Sequence, residues 1–514
     1  MKPSGIVPQN TPREFHLDEM FFSTTDRRGV IALGNAVFVR VSGYREEDLV
    51  GSPHNIIRHP DMPRAAFRLV WTQLLAGEPV VAYVKNLAAD GGYYWVVALI
   101  TPVADGFLSI RFKPTAPLRA LVEQVYARML AAEAAAKDLP DGGRKGMDEA
   151  AAILAAALAE NGFADYGAFM RAMLHAELKS REEAVVRDHR RIIPAWPESA
   201  AGDRAGSLAG SLHAIYLGGQ KAYARIHQLY ARLDEFAAMN EELESKSRFV
   251  LGLTREFRFI SINASLESTK LGEEGNSLGV IAHYLGEMSL QISRTVEGLT
   301  ARIHAVLEKL RAIIFHFATA QLQIEMTLVF CRESLDRLLE ADAVTDAAVV
   351  ATHRAMIERL QAAFRETTQR AVGALGSLGR DLQELDVHSQ ELHRTVTALQ
   401  VAHVSGLIEA NQLKNEGAFA AMFGEVRAQI DTTREELSGL DTIIERLGTL
   451  AAEAPALAAV ITGAVAQMDG AVAGLTYAGR ETGPAATGPV ARPGVLPPAA
   501  PVRMGMSRLA GAPR

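Results

Sequence analysis

The chain has 514 residues and a formal net charge of −7. This mild acidity provides no general attraction to nucleic acid or to an anionic membrane surface, so we expect no nucleic-acid partner. The one cysteine, Cys331, excludes an internal disulfide framework and a Cys-x-x-Cys metal site, and we predict no bound metal. The length is sufficient for two or more domains with separate cores.

The N-terminal residues 1–19 have no apolar core of the kind that signal peptides contain, and we expect them to form an extension. No stretch reaches the roughly 18 uncharged apolar residues of a membrane span. The closest stretch, 312–331, contains Gln321, Gln323 and Glu325, which indicates a buried helix in a bundle. We therefore predict a cytoplasmic protein without a membrane span.

Residues 20–115 alternate between strand signals and turn signals. Apolar and aromatic runs at 80–84 and 93–100 lie between turns rich in Gly and Asp, a pattern typical of antiparallel strands. Helical segments at 45–49 and 64–75 separate the early strands from the late ones. The segment is therefore predicted to be one compact α+β domain.

Strand signals end after residue 115, and the rest of the chain has helical spacing. Residues 116–210 are predicted to form a helical connector. Residues 211–470 are predicted to form a mostly α-helical bundle or coiled-coil region, with a short break at 373–379. The last segment, 471–514, is rich in Pro, Gly and Ala, and we predict a disordered tail.

The most informative run is Pro-His-Asn-Ile-Ile-Arg-His-Pro-Asp-Met-Pro at Pro53–Pro63. The guanidinium of Arg58 can donate paired hydrogen bonds to a pyrophosphate. His54 and His59 can donate or accept at a ribose, a phosphate or a ring edge, and Asp61 can orient Arg58 or hold a hydroxyl. This combination favours a loop that lines a pocket for a planar cofactor with phosphate groups.

The segments 24–31, 35–38 and 42–51 resemble the opening of a PAS domain. The Pro53–Pro63 run, together with the segments around Trp71, Asn86 and Trp95, is similar to the PAS domain of aerotaxis receptors. The resemblance covers residues 20–115 and implies a five-stranded antiparallel sheet that holds FAD noncovalently. It also implies the FAD-binding residues, with the first three as the strongest candidates: Arg58, His59, Asp61, His54, Asn35, Trp71, Asn86 and Trp95.

Other interpretations of these residues remain open. Another flavin, haem or no cofactor are alternatives to FAD. A single loop histidine more often has its hydrogen bonds made by neighbouring residues than it binds a ligand. The two tryptophans are more often part of a domain core than stacking surfaces for a cofactor. Arg58 and Asp61 could also form a structural ion pair that closes the loop.

A second motif, at 259–282, predicts an antiparallel helical hairpin. One helix ends near Gly272, Gly275 can supply a left-handed turn residue, and helical spacing resumes at Leu278. The pattern resembles the cytoplasmic tip of methyl-accepting chemotaxis proteins, which contacts a histidine kinase and its coupling protein. The resemblance covers about thirty residues and implies these partner-contact residues: Asn263, Glu267, Lys270, Gly272, Glu273 and Gly275.

The flanks of this motif differ from a receptor hairpin, because we expect only a short helical arm before the tip. The alternative interpretation is therefore an ordinary turn between two helices of a bundle. The chain has no Walker-type phosphate loop, no His-Glu-x-x-His zinc motif and no cyclase Gly-Gly-Asp/Glu-Glu-Phe motif. We therefore expect a protein that is not an enzyme.

The combined expectation is a soluble redox or oxygen sensor. FAD in the PAS domain would signal through the helical region to a chemotaxis-type kinase complex, and the chain would form a homodimer or a higher oligomer. The alternative is a PAS domain without cofactor that serves dimerisation, with a helical bundle that docks another signalling partner.

Overall fold

The computed structural model describes residues 6–139, 141–197, 208–270, 276–340, 347–410 and 416–475. Its N-terminal part is an α+β domain and the remainder is helical, so the predicted fold class is confirmed. The strands are β1 (Phe21–Asp26), β2 (Ile31–Gly34), β3 (Val80–Leu87), β4 (Tyr93–Val103) and β5 (Gly106–Phe112). Between them lie α1 (Ala36–Ser42), α2 (Glu46–Leu49), a 3-10 helix (His54–Ile57) and α3 (Arg64–Leu75).

The five strands form one antiparallel sheet in the order β2-β1-β5-β4-β3. Side chains alternate between the two faces of each strand. On β5, Ser109 and Arg111 lie on the face that α1, α3 and the 3-10 helix cover, whereas Leu108, Ile110 and Phe112 belong to the core on the other face. The first face therefore borders a cavity, and the second packs against the helical half of the chain.

The connector consists of α4 (Leu118–Ala135), α5 (Gly142–Glu160) and α6 (Tyr166–Arg187). It is tied to strand β3 by two tyrosine hydroxyls that donate to backbone carbonyls. Tyr126 donates to the carbonyl of Tyr83 at 3.1 Å, and Tyr166 donates to that of Val81 at 2.8 Å. These bonds fix the connector to the edge of the sheet that β3 forms.

Four long helices follow and form an antiparallel bundle. They are α7 (Leu208–Lys270), α8 (Asn276–Glu340), α9 (Ala347–Ala410) and α10 (Glu416–Ala473). Each packs against the helix before or after it in the chain, and α10 closes the bundle against α7. At 1.5 Å per residue, each helix is about 90 Å long.

The bundle corrects two expectations from the sequence. The arm before the hairpin turn is not short: α7 has 63 residues and α8 has 65, so the two arms match. The predicted break at 373–379 is also wrong, because α9 continues through these glycines. Helix packing against the neighbouring helices outweighs the roughly 1 kcal/mol that each internal glycine costs.

Two of the described helices contain windows that are long and apolar enough to cross a membrane, within Gly279–Arg337 and Gly424–Ala473. In the first window 83% of the residues are buried, and in the second 29%. The segment 312–331 belongs to the first helix, and its Gln323 and Glu325 are fully buried, as predicted for a bundle helix. Sequence reasoning overlooked the second helix.

Candidate functional site

A cavity of about 410 Å³ lies between the sheet, the 3-10 helix and α3. This volume is in the range of small-molecule sites. Both the sheet and the Pro53–Pro63 loop contribute to its wall. The lining residues are Thr25, Arg28, Gly29, Pro53, His54, Asn55, Ile57, Arg58, Phe67, Val70, Trp71, Leu74, Val84, Asn86, Ala98, Ile100, Phe107, Ser109 and Arg111.

The polar centre of the cavity is Arg111 on β5. Its two terminal nitrogens each donate to the hydroxyl of Ser23 at 3.0 Å, and one lies 2.5 Å from His54 Nε2. The side chain is buried, and its guanidinium lies 5.3 Å from the centre of the Phe38 ring. Among the described residues, no carboxylate forms an ion pair with it. A buried cation with this surrounding favours an anionic or carbonyl-bearing ligand.

Burial lowers the pKa of both members of this pair. Desolvation lowers the pKa of Arg111 to about 10, and it lowers the pKa of His54 well below 6.5, with the charge of Arg111 as the second cause. His54 is therefore neutral at neutral pH, and its Nε2 can accept the hydrogen bond that Arg111 donates. Arg111 keeps its charge, so the cavity is positive at this wall.

Two further polar groups in the cavity have no hydrogen-bond partner. Asn86 is 2% exposed, and neither its Nδ2 nor the Oγ of Ser109 has a partner. An unsatisfied buried polar group costs about 1–3 kcal/mol. Both residues line the cavity, so a ligand with acceptors and donors at its edge would satisfy them.

Aromatic side chains and a second cation form the other walls. Arg58 lies with its guanidinium 4.5 Å from the centre of the Phe67 ring and donates to the carbonyl of Met62 at 2.9 Å. Trp71 packs edge-on against Phe107. Gly29, at a φ of +79°, approaches so closely that a Cβ there would lie 3.1 Å from the Trp71 ring. These contacts hold the flat surfaces in place.

His59 and Asp61 brace the loop and do not line the cavity. The Nδ1 of His59 accepts from the backbone N–H of Asp61 at 3.1 Å, and the buried imidazole lies edge-on to Tyr93. Lys85 donates to the Asp61 carboxylate at 2.6 Å. The Arg58–Asp61 ion pair that the sequence left open is therefore not formed.

Asn35 and Trp95 also lie outside the cavity. Asn35 caps α1: its Oδ1 accepts from the backbone N–H groups of Phe22 and Phe38, and its Nδ2 donates to Glu333 at 3.0 Å. Trp95 lies on the opposite face of the sheet, where the guanidinium of Arg119 is 5.6 Å from its ring. Of the predicted cofactor residues, the structure brings together His54, Arg58, Trp71 and Asn86.

Three of the predicted partner-contact residues lie at one end of the bundle. Asn263, Glu267 and Lys270 belong to the last two turns of α7; Asn263 is half-buried and Lys270 is exposed. Gly272, Glu273 and Gly275 lie outside the described residues. The described part of the chain contains no group of three or more His, Cys, Asp or Glu that could hold a metal ion.

Sequence reasoning missed Arg111 and Ser109. A signal was present, because β5 alternates Ser109 and Arg111 with the apolar Leu108, Ile110 and Phe112. Such alternation is normally read as a solvated face. Here the polar face points into a cavity, and only the covering helices distinguish the two cases.

Comparisons with known proteins agree with the fold of this domain. The PAS fold family matches residues 32–107, and the chain contains a PAS domain there. Over 126 residues the chain is 43% identical to the aerotaxis receptor of Escherichia coli (strain K12), which covers 24% of each protein. It is 35% identical over 83 residues to the nitrogen fixation regulatory protein of Klebsiella pneumoniae, which covers 16% of this chain and 17% of that protein.

The matches thus span about a quarter, or less, of the length of these curated relatives. Among solved structures, a light-oxygen-voltage domain studied with a flavin analogue is 20% identical, with a TM-score of 0.19, over 21% of this chain and 86% of that chain. The Rhodobacter sphaeroides LOV protein is 22% identical, with a TM-score of 0.18, over 27% of this chain and 86% of that chain.

Proposed function

We propose that the PAS cavity binds FAD and that the chain is a redox or oxygen sensor. The observation that carries the proposal is a set of buried polar groups in the cavity. Arg111 has no carboxylate partner among the described residues, and Asn86 Nδ2 and Ser109 Oγ have no hydrogen-bond partner. The 43% identity to an aerotaxis receptor over this region supports a flavin as the ligand class.

The residues present fit this group. Asn86, Ser109 and Arg111 offer donors to the carbonyl and nitrogen edge of an isoalloxazine ring, and Trp71 offers a flat surface beside it. Arg28, which is exposed although it lines the cavity, and the half-buried Arg58 suit the diphosphate. Bound FAD would supply a reversible redox couple whose ring-edge hydrogen bonding changes with oxidation state.

The chain offers a physical route from the cavity to the helices. The hydroxyl of Ser23 on β1 accepts a hydrogen bond from Arg111. The preceding residue, Phe22, lies on the other face of the sheet. Phe22 packs edge-on against Phe330 of α8, with ring centres 5.3 Å apart. A shift of the Arg111–Ser23 contact would therefore change the packing of the sheet on the bundle.

We propose that the bundle then signals to a chemotaxis-type histidine kinase and its coupling protein. The chain would act in the cytoplasm as a homo-oligomer, without catalytic activity of its own. Support comes from the aerotaxis receptor as a relative and from the matched arms of the α7–α8 hairpin. The tip residues named from the sequence would form the kinase contact.

Reconstitution with FAD tests the cofactor. The full chain, incubated with FAD and desalted, is expected to keep a flavin absorption band that dithionite bleaches. Arg58→Ala is expected to lower FAD affinity about tenfold or more, since a charged hydrogen bond contributes about 1.5–3 kcal/mol. Arg45→Ala, which removes an exposed guanidinium bonded to Asp48 in the same domain, is the matched control and should leave affinity unchanged.

A colourless full chain would contradict the proposal and favour the cofactor-free scaffold.

The kinase step has its own test. Glu273→Ala in FAD-loaded protein is expected to weaken control of kinase autophosphorylation in a mixture with kinase and coupling protein. Unchanged control by this variant, with normal flavin binding, would reject the tip and leave the cofactor intact.

A further inference from the structure

Two small voids lie between the PAS cavity and the surface of the connector. The inner void, of about 20 Å³, lies where α3 and β3 meet the connector, and the outer void, of about 30 Å³, lies among α4, α5 and α6. Three residues line both the PAS cavity and the inner void: Phe67, Val70 and Val84. Three others line both voids: Tyr126, Leu154 and Tyr166. The cavity and the two voids therefore form one series, separated by side chains.

The inner void borders the part of the PAS cavity that a flavin ring would occupy. Val84 lies two residues before Asn86 on β3, so both side chains point to the same face of the sheet. Asn86 is one of the donors that the proposed function assigns to the ring edge. Arg28 and Arg58, which suit the diphosphate, are the exposed and half-buried residues of the cavity wall. With FAD in place, the inner void would therefore lie behind the ring, away from the diphosphate.

The outer void lies next to solvent. Asn161, the residue that ends α5, is exposed and lines this void. Leu154 and Phe163 in the same lining are half-buried, whereas Ala66 and Ala82 of the inner void are buried. A small molecule that enters beside Asn161 would therefore pass the outer void and the inner void before it reaches the PAS cavity.

Neither void is suited to water. A buried water makes about 2–4 hydrogen bonds, and the lining side chains are apolar except for Tyr126, Tyr166 and Asn161. The hydroxyls of Tyr126 and Tyr166 already donate to the backbone carbonyls of β3, and the Nδ2 of Asn161 donates to the carbonyl of Ala157 at 2.8 Å. Among the described residues that line the voids, no buried side-chain nitrogen or oxygen lacks a partner. Such voids stay dry and favour a small apolar molecule.

The size of the voids selects the molecule. About 10–15 Å³ of such space is enough for one molecule the size of water, so each void has room for a single small molecule and not for an organic ligand. We infer that the two voids bind dioxygen and lead it to the PAS cavity. Binding in the voids does not depend on FAD, but the use of the path rests on the proposed function. At a reduced flavin, dioxygen takes up two electrons and two protons, which leaves oxidised flavin and hydrogen peroxide.

Dioxygen itself is the probe for the voids, because it is paramagnetic and speeds the relaxation of nearby methyl protons. Methyl NMR of the full chain without FAD is recorded under nitrogen and then under dioxygen. The methyl groups of Ala82 and Val122, which line the inner and the outer void, are 4% and 8% exposed residues. Their matched controls on α10 are Ala464 and Val465, which are 5% and 9% exposed. We expect a several-fold larger effect of dioxygen at the void methyl groups.

Leu154 is the residue to change, because it lines both voids. Leu154→Phe places a larger side chain between them and should remove most of the dioxygen effect at Ala82. In FAD-loaded protein, reduced with a stoichiometric amount of dithionite and mixed with dioxygen, the same variant should restore the flavin absorption band several-fold more slowly. Leu154→Ala widens the path and should restore it faster. Ile153→Phe is the control, since Ile153 is half-buried on the same helix and lines neither void.

Circular dichroism and the flavin spectrum of each variant check the fold and the cofactor, and Leu154→Ala decides if Leu154→Phe loses helix. Equal effects of dioxygen at the void methyl groups and at their controls would overturn the binding sites. Reoxidation of the Leu154 variants at the wild-type rate would overturn the path. A chain that holds no flavin would reject the proposed function, and the methyl relaxation would still decide whether the voids bind dioxygen.

Discussion

At the scale of residues, the cavity is defined by a buried positive charge without a described counter-charge and by buried polar groups without a hydrogen-bond partner. Arg111 is held by Ser23 and His54, neither of which carries a negative charge at neutral pH. Asn86 Nδ2 has no partner. Native proteins rarely keep such groups without compensation. A ligand that supplied the missing partners would stabilise the domain, because it would bind the folded state alone.

Asn86→Leu separates the effect of this buried amide on the stability of the apo protein from its effect on FAD binding. The change removes an unsatisfied donor from a 2% exposed position and keeps a similar volume. We expect the apo protein to unfold at an equal or higher temperature, because the cost of the buried amide disappears. FAD affinity should fall at least about fivefold, since a neutral hydrogen bond contributes about 1 kcal/mol. An apo protein that is strongly destabilised, with unchanged FAD affinity, would show that Asn86 is structural.

Buried histidines predict how stability depends on pH. Burial lowers the pKa of His353 from 6.5 to about 4, and its Nδ1 bonds to the hydroxyl of Ser334 at 2.9 Å. Below pH 6.5 the histidine is protonated in the unfolded chain, whereas in the folded chain it stays neutral until about pH 4. The free energy of unfolding should therefore fall with decreasing pH in this window, by up to ~1.4 kcal/mol per pH unit for this residue.

His353→Gln keeps a hydrogen-bonding side chain without a titrating group, so it should flatten that part of the pH dependence. The control is His283→Gln, at an exposed position of α8. Unfolding temperatures measured from pH 7 to pH 4 distinguish the two. Parallel curves for wild type and His353→Gln would contradict the assignment.

At the scale of elements, the sheet is joined to the helices by buried polar contacts as well as by apolar packing. Arg181 of α6 and Glu325 of α8 form an ion pair of 2.8 Å with side chains 1% and 0% exposed. Arg181 also lies over the ring of Phe112, at the end of β5. Glu333 of α8 accepts from the backbone N–H of Ala36 at the start of α1. Connector, bundle and PAS domain thus share one junction.

The ion pair gives a test of this junction. Glu325→Leu alone leaves a buried, unpaired guanidinium and should destabilise the chain by about 3–5 kcal/mol. Adding Arg181→Met removes the stranded charge and should restore most of the unfolding temperature, since apolar replacements of a buried pair are often neutral. Additive losses in the double variant would mean that the two side chains act independently.

At the scale of the whole molecule, the sequence predicted elements better than their relations. Period-two alternation identified the sheet, and the Pro53–Pro63 run identified the loop that contributes His54 and Arg58 to the cavity. Sequence patterns could not place Asn35, whose side chain caps a helix and donates to Glu333, almost three hundred residues away in the chain. Helical spacing found the bundle but not its second hairpin. The segments 267–275 and 409–417 share only four aligned identities, which are too few to notice without knowing that α7 and α9 end at the same end of the bundle.

The most direct test of the central proposal uses the tryptophans. The chain has three: Trp71 lines the cavity, Trp95 lies on the opposite face of the sheet, and Trp196 packs against Tyr216 of the bundle. FAD is titrated into the variant that keeps only Trp71, with Trp95→Phe and Trp196→Phe, and into the variant with Trp71→Phe alone. We predict strong, saturable quenching of Trp71 and much weaker quenching of the other two. Absence of quenching in the first variant, or equal quenching in both, would contradict a flavin in this cavity.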